Sequence, residues 1–424
     1  MELIFHGGAG QVGRSCIEVR TNNTRLLLDA GLWITDKGAE FPTEIENIGE
    51  IDAVIISHAH LDHTGALPLF EHLGLRCKVF TNNETKTITK VLLKDSFKIS
   101  RIQHVHVAYE KMDIEKIISM FEDVGYHETR EIKDVKFTLL PAGHIPGSAS
   151  ILIEADGERL LYSGDINSNE TKLLKGAETN IENIDYLIVE STYGDREHNK
   201  RENEEKEFLN TVENTLKRNG KVLVPAFAVG RAQEILMILG NKFEVPIYVD
   251  GMARQICQTF IDYPKFVIDP GKLREMVEKS HFIRGWEERD EIIKKPCIII
   301  TTSGMVNGGP VMYYLSKLWK DKNSSILMTG YQAKHTTGKM IFEEGKAFID
   351  GNLVEIVMEI RKFDFSAHSG MSELHNFVLN VKPKKVIVQH GDEDAIHKFA
   401  SWINEQGIEA FSPKLGEKIT IHKD

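Results

Sequence analysis

Apolar and polar positions alternate with a period of two over residues 15–20, a polar stretch interrupts at 21–24, and the alternation resumes over 25–29. Successive side chains of a strand face opposite sides, so this spacing predicts an antiparallel hairpin. The run Ile51-Asp52-Ala53-Val54-Ile55-Ile56-Ser57 is almost wholly apolar and predicts a strand buried on both faces. Residues 66–73 predict a short helix stopped by Gly74. Residues 84–124 read as helical, with a histidine-containing break at 104–106. Residues 136–140, 149–155, 159–162 and 186–189 predict further strands. Strands in runs with helices between them imply stacked sheets covered by helices. The texture changes near 195. Residues 195–207 are strongly charged, which predicts a solvated helix start or linker. Beyond them, apolar runs at 221–225, 246–250, 297–302 and 325–329 alternate with helical patterns, one over 231–239. That alternation predicts a separate doubly wound α/β domain. The end of the chain returns to strands that carry histidines.

A chain of 424 residues exceeds what one core comfortably supports, so two domains are expected. No apolar run approaches the ~18 residues that span a bilayer. The start, Met1-Glu2-Leu3-Ile4-Phe5-His6, lacks the basic opening of a secretory signal. The expectation is a cytoplasmic protein with no membrane partner. Cys16, Cys77, Cys257 and Cys297 are scattered, with no pair at metal-knuckle or redox spacing, and read as small buried side chains in a reducing compartment. The net charge of −11 argues against non-specific binding to a polyanion. It does not exclude a nucleic-acid substrate, because bound cations and a local basic groove reverse the field at a site.

Chemistry concentrates in His58-Ala59-His60-Leu61-Asp62-His63, directly after the buried strand. Groups at the carboxyl end of a strand face the crevice where open α/β sheets bind ligands. Imidazole nitrogen and carboxylate oxygen suit zinc, and four such groups at this density can serve more than one ion. Solvated loop histidines are the competing explanation, but no turn or cap needs three imidazoles alternating with apolar residues. The same strand-end or small-residue-loop setting recurs at Asp29, His144, Asp165, Glu190, His368 and His390. Each alone is as readily loop decoration; together they place acids and imidazoles at one edge of a sheet. The remaining histidines lack this setting, His6 and His335 being the nearest to it. Gly8-Ala9-Gly10-Gln11-Val12-Gly13 matches the G-x-G-x-x-G dinucleotide fingerprint, but a hairpin rather than a helix follows it. The loop is expected to be a turn that brings backbone close to another layer.

In order along the chain, Asp29, His58-x-His60-x-Asp62-His63, His144 and Asp165 resemble the four motifs of the metallo-β-lactamase superfamily. Glu190, His368 and His390 resemble the three further motifs of its β-CASP branch, which processes nucleic acids. The stretch Val224-Pro225-Ala226-Phe227-Ala228-Val229-Gly230-Arg231-Ala232-Gln233-Glu234 and Thr329-Gly330-Tyr331-Gln332 are similar to the nuclease subunits of the cleavage and polyadenylation specificity factor, archaeal forms in particular. The metal-binding pattern begins at residue 1, so the KH domains that archaeal relatives often carry are not expected. The resemblance implies an α/β protein: an αββα sandwich with an inserted doubly wound β-CASP domain. Residues 1–195 would form the first part of the sandwich, 196–361 the insertion and 362–424 the final part.

It further implies a zinc-dependent ribonuclease for single-stranded RNA, acting as endonuclease, 5′-to-3′ exonuclease or both by a two-metal hydroxide mechanism. His58, His60 and His144 would hold one Zn2+, and Asp62, His63 and His390 the second, with Asp165 bridging. His368 would be the general acid, Glu190 its orienting partner, and Asp29 a support for a ligand histidine. A histidine at 390 favours RNA over DNA repair; single-stranded DNA is a secondary substrate and a homodimer the expected assembly. In the insertion, Arg231, Ser303, Gly304 and Lys334, with Lys339, are candidates for phosphate binding, and helix capping explains Arg231 and Ser303 nearly as well. A metallo-hydrolase of a small ester or thioester shares the first four motifs but needs neither the insertion nor His368. A catalytically silent RNA-binding scaffold would have lost ligands, and none is missing here.

Overall fold

The hairpin over residues 15–29 forms the middle of a sheet. Cys16–Arg20 and Arg25–Leu28 pair antiparallel, with Ile17 opposite Leu28 and Arg20 opposite Arg25. That seven-stranded sheet runs Lys418–Thr420, Glu2–Gly7, Cys16–Arg20, Arg25–Leu28, Ala53–Ile55, Lys78–Thr81, Phe121–Asp123. A second runs Glu409–Phe411, Lys385–Gln389, Tyr186–Glu190, Glu158–Tyr162, Ala149–Ala155, Val135–Pro141, Thr129–Ile132. The computed structural model describes residues 1–35, 38–102, 104–105, 107–332 and 335–421. Both sheets belong to one unit, made of Met1–Glu170, Lys175–Glu197 and His368–Asp424.

Period-two alternation sorts the side chains of these strands between layers. In Lys385–Gln389, Ile387 enters the core shared by the two sheets, with Phe5, Ile17, Phe137, Ile151 and Leu160. Val386 and Val388 face the other way, onto Leu374, Phe377, Ile396 and Phe399 of helices Met371–Val381 and Glu393–Glu405. On the first sheet, Leu27, Val54 and Val79 pack with Leu67, Phe70, Leu93 and Ile114 from helices Leu67–His72, Asn83–Ile102 and Lys111–Ser119. Each such fully buried side chain contributes about 1.5–3 kcal/mol. The layers are helix, sheet, sheet, helix, the αββα sandwich. The helical reading of residues 84–124 is corrected at its end: Phe121–Asp123 is a strand, paired parallel with Lys78–Thr81. Three residues are too few to display an alternation.

The second unit comprises Thr171–Leu174 and His198–Ala367. Its main sheet has six strands, all parallel, in the order His281–Phe282, Ile247–Asp250, Ile298–Thr301, Val222–Pro225, Ser325–Met328, Glu359–Lys362, and a separate hairpin pairs Lys346–Ile349 antiparallel with Asn352–Glu355. Helix Arg231–Leu239 is buried along its whole length. The charged stretch opens helix Arg201–Lys217, which buries only Phe208, Thr211, Val212 and Thr215, so a polar sequence still packs one stripe. Cys16, Cys257 and Cys297 are buried and Cys77 half-buried, all as free thiols. Among the described residues no helix is long and apolar enough to cross a membrane.

Candidate metal centre

Within the sandwich unit, the strand ends deliver their polar residues to one place. Asp29 follows Arg25–Leu28, the His58–His63 segment follows Ala53–Ile55, and Asp165 follows Glu158–Tyr162. Glu190 ends its strand, His390 follows Lys385–Gln389, and His144 lies in the turn between Val135–Pro141 and Ala149–Ala155. Asp29 and His390 turn off their strands with positive φ, 61° and 50°, a conformation that Asp and His adopt more readily than bulkier residues do.

The donor atoms of His58, His60 and His144 lie within 4.8 Å of one another, as do those of Asp62, His63, Asp165 and His390. Asp165 joins the two groups. Its Oδ2 is 3.6 Å from His58 Nε2, 3.4 Å from His63 Nε2 and 3.7 Å from His144 Nε2. Its Oδ1 is 3.1 Å from His390 Nδ1. His60 Nδ1 sits 3.2 Å from His58 Nε2 and 3.1 Å from His144 Nε2, and Asp62 Oδ2 is 3.8 Å from His390 Nε2. His63 Nε2, His390 Nδ1 and Asp165 Oδ1 are buried with no aligned hydrogen-bond partner, an arrangement that costs about 1–3 kcal/mol per group unless something satisfies it. Imidazole nitrogens and carboxylate oxygens pointed at one another suit a divalent cation of the zinc type, so the residues fit the group that the motifs imply.

Asp29 stays outside both clusters and organises them. Its Oδ2 accepts hydrogen bonds from His63 Nδ1, the Ser57 hydroxyl and the Tyr162 hydroxyl, each at 2.7 Å, and its Oδ1 accepts the Ser57 N–H at 2.7 Å. With the proton of His63 on Nδ1, Nε2 presents its lone pair to the centre. Ser57 Oγ, its own proton given to Asp29, accepts from His58 Nδ1 at 3.1 Å, which aims His58 Nε2 in the same way. Burial pushes His58 and His60 below the usual histidine range, and a neutral ring is the form that ligates. Burial also opposes charge on His63 and His390, yet the Asp165 carboxylate outweighs it and holds His390 up at about 10. In return, against the effect of its own burial, Asp165 is held well below the usual carboxylate range by His390 and His63. Asn in place of Asp29 removes the charge and, in either orientation of the amide, sets an N–H group against at least one donor. Metal affinity of the Asp29→Asn protein is expected to fall roughly 10- to 100-fold in a chelator competition, and unchanged affinity would contradict the supporting role.

His368 stands beside the first cluster. Its ring centroid is 4.4 Å from that of His144, and its Nδ1 donates to both oxygens of Glu190, at 3.0 and 3.1 Å. Glu190 is itself anchored, accepting the Ile166 N–H at 2.7 Å and the Thr192 N–H at 3.3 Å. Burial works against the charged ring, but the Glu190 carboxylate raises His368 above the ordinary histidine value.

The glycine loop meets the centre too. Gly8 O accepts the His390 N–H at 2.8 Å, and the Gly13 N–H donates to His390 Nε2 at 3.2 Å. Ser57, Tyr162 and this loop were not marked as site residues by the sequence. Ser57 is the one with a signal, its place next to His58; nothing local foretells that the Tyr162 hydroxyl reaches Asp29. His6 is buried in a bond to Glu18 at 3.1 Å, and His335 is exposed.

The described phosphate-binding candidates lie in the second unit, engaged within its fold. Arg231 is 6% exposed and its guanidinium pairs with Glu234. Ser303 Oγ donates to Gly308 O at 3.3 Å and accepts the Asn307 N–H at 3.2 Å. A Cβ on Gly304 would fall 2.9 Å from Phe227 N. Lys339 pairs with Glu343 at 2.9 Å, and Lys334 lies outside the described residues.

Residues 18–191 match the metallo-beta-lactamase superfamily domain, 232–341 the Beta-Casp domain, and 353–413 the Zn-dependent metallo-hydrolase RNA specificity domain. The chain is 39% identical to "Probable RNase MJ4" of Methanocaldococcus jannaschii over 99% of this chain and 100% of that one. It is 36% identical to "RNase aCSPSF2" of Saccharolobus solfataricus, over 98% and 84% respectively. With "Transcription termination factor FttA" of Pyrococcus horikoshii it shares 34% identity, over 98% and 70%. A solved structure of a protein of unknown function from Enterococcus faecalis superposes with a TM-score of 0.61 over 99% of both chains at 14% identity, a likeness of fold.

Proposed function

The chain belongs to the β-CASP branch of the metallo-β-lactamase superfamily and is a hydrolytic ribonuclease, and we propose that it cuts single-stranded RNA with two zinc ions held around Asp165. The observation that carries this reading is Asp165 Oδ2, which lies 3.4–3.7 Å from imidazole nitrogens of both donor clusters. His58, His60 and His144 would hold one ion, Asp62, His63 and His390 the other. When bound, such a pair would supply charge neutralisation at the phosphate oxygens and a water acidified enough to act as nucleophile near neutral pH.

The side chains around the clusters supply the rest. The departing ribose 3′-oxygen is a poor leaving group until protonated, and His368 gives it a proton from Nε2. Glu190 fixes the tautomer that makes Nε2 the donor and favours the charged ring. Asp29 and Ser57 keep the ligand rings in register. A small ester or thioester needs only the first matched domain, so that alternative is not favoured by a chain that also matches over 232–341 and 353–413.

The test is zinc-loaded protein with RNA labelled at the 5′ or the 3′ end, beside a glutathione thioester. Cleaved RNA and intact thioester are expected, and product lengths separate internal cuts from stepwise removal of nucleotides. Cleavage that survives chelation, or thioester turnover with RNA untouched, would defeat the proposal. It extends to single-stranded DNA as a weaker substrate, read in the same assay, to a homodimer, read by light scattering, and to a cytoplasmic location.

A further inference from the structure

We propose that Trp33 is the platform on which a nucleobase of the RNA strand stacks beside the metal centre, an inference that rests on RNA being the substrate. Trp33 is 39% exposed, a large indole left half in water. It opens a two-stranded hairpin, Trp33–Thr35 with Gly38–Glu40, in which it pairs with Glu40.

Backbone bonds of the preceding residue and of the glycine loop tie this part of the chain to the centre. The Leu32 N–H donates to Leu61 O at 2.9 Å, next to Asp62, and the Ser15 N–H donates to Asp62 O at 2.8 Å. The Arg14 N–H donates to Leu32 O at 3.3 Å. The indole lies on Gly13, where a Cβ would come within 3.0 Å of Trp33 Cδ1. The N–H of that same Gly13 bonds His390 Nε2 at 3.2 Å. One glycine thus separates an exposed aromatic face from a ligand imidazole. The loop that resembled a dinucleotide fingerprint has its use here: without a side chain, Gly13 lets the indole rest on the backbone that holds His390. The Arg14 guanidinium steadies the hairpin, bonding Phe41 O at 3.2 Å and pairing with Glu40 at 3.3 Å.

The chemistry selects a base as the occupant. Single-stranded nucleic acid is gripped by stacking on aromatic rings, which tolerates any sequence because every base has a π face. Stacking does not depend on charge, so it is open to a chain of net charge −11.

The experiment compares wild type, Trp33→Ala and Trp33→Phe as zinc-loaded enzymes. The substrates are one RNA and a set of the same RNA with a single abasic nucleotide moved along the strand. Trp33→Ala is expected to raise KM about tenfold with kcat and bound metal unchanged, and Trp33→Phe to keep most of the affinity. At one position the abasic substrate should raise the wild-type KM by a similar factor and leave that of Trp33→Ala unmoved, since ring and base act as one pair. An unchanged KM in Trp33→Ala, or an abasic penalty as large in the variant as in wild type, would overturn the inference. So would a Trp33→Ala protein that changes only its mass in light scattering, which would give this face, with the 65% exposed Ile34 beside it, to a second copy of the chain. Wild-type protein that leaves RNA intact would bring down the nuclease reading and this inference with it; RNA cleavage indifferent to Trp33 would bring down this inference alone.

Discussion

Asp165→Asn is expected to lower RNA hydrolysis by at least ~1,000-fold, the several kcal/mol that metal-ion catalysis supplies, and to reduce bound metal. Asp165 is 2% exposed, and its two oxygens face four imidazoles, those of His58, His63, His144 and His390. The amide has the same shape, so packing survives. It brings no negative charge, and one of its two heads is an N–H donor that cannot bind a cation. Charge balance changes as well. The carboxylate raises His63 and His390 against burial, so in the metal-free variant both rings lose the larger part of that support, keeping only Asp29 and Asp62 respectively, and titrate at lower pH. Elemental analysis of the purified variant, with an RNA cleavage assay, gives the answer. An Asp165→Asn protein with full metal content and a wild-type rate would remove Asp165 from the centre.

His368→Ala is expected to lose about 10²- to 10⁴-fold in kcat, the range for general acid catalysis, and to keep its metal. The second half matters, because donor atoms of His144, Asp165 and His368 also lie within 4.8 Å of one another and distance alone would allow His368 to be a ligand. The bond from His368 Nδ1 to both oxygens of Glu190 is the argument for an acid. A variant that loses metal in proportion to activity would make it a ligand instead. The pH profile adds an independent readout. Glu190 raises the His368 pKa above its ordinary value, so the acid form persists at higher pH and the rate falls as pH rises through that raised pKa. In Glu190→Gln the carboxylate charge is gone, burial then lowers the pKa, and the falling limb should move to lower pH. A limb that stays in place would separate the profile from His368.

The metal-binding groups were legible because each is delivered by an element whose signal is local. The apolar runs before His58, Asp165 and His390 are strands that read plainly, and strand ends are where such residues gather. Stacked sheets covered by helices followed from the runs of apolar strands, and the αββα sandwich from the family resemblance; that Ile387 faces one layer and Val386 and Val388 the other was not legible, since all three are apolar. Other features had no local trace. The strand Phe121–Asp123 is too short for a period, and it exists because Lys78–Thr81 offers it an edge. Arg231 read as a cation at a helix start; only packing shows that it is buried against Glu234.

The sequence by itself determined which groups carry the chemistry, the elements that present them and the family to which the chain belongs, because donor type and hydrophobic period are properties of short stretches. Tertiary structure decided what those groups do to one another. That Asp165 stands between two clusters, that Tyr162 and Ser57 converge on Asp29, that Glu190 grips His368 and that Trp33 rests on the glycine holding His390 all follow from two sheets closing on a shared core. Such pairings join residues up to 377 positions apart in the chain. No short-range pattern encodes them, since they arise only when buried apolar faces bring the strand ends together.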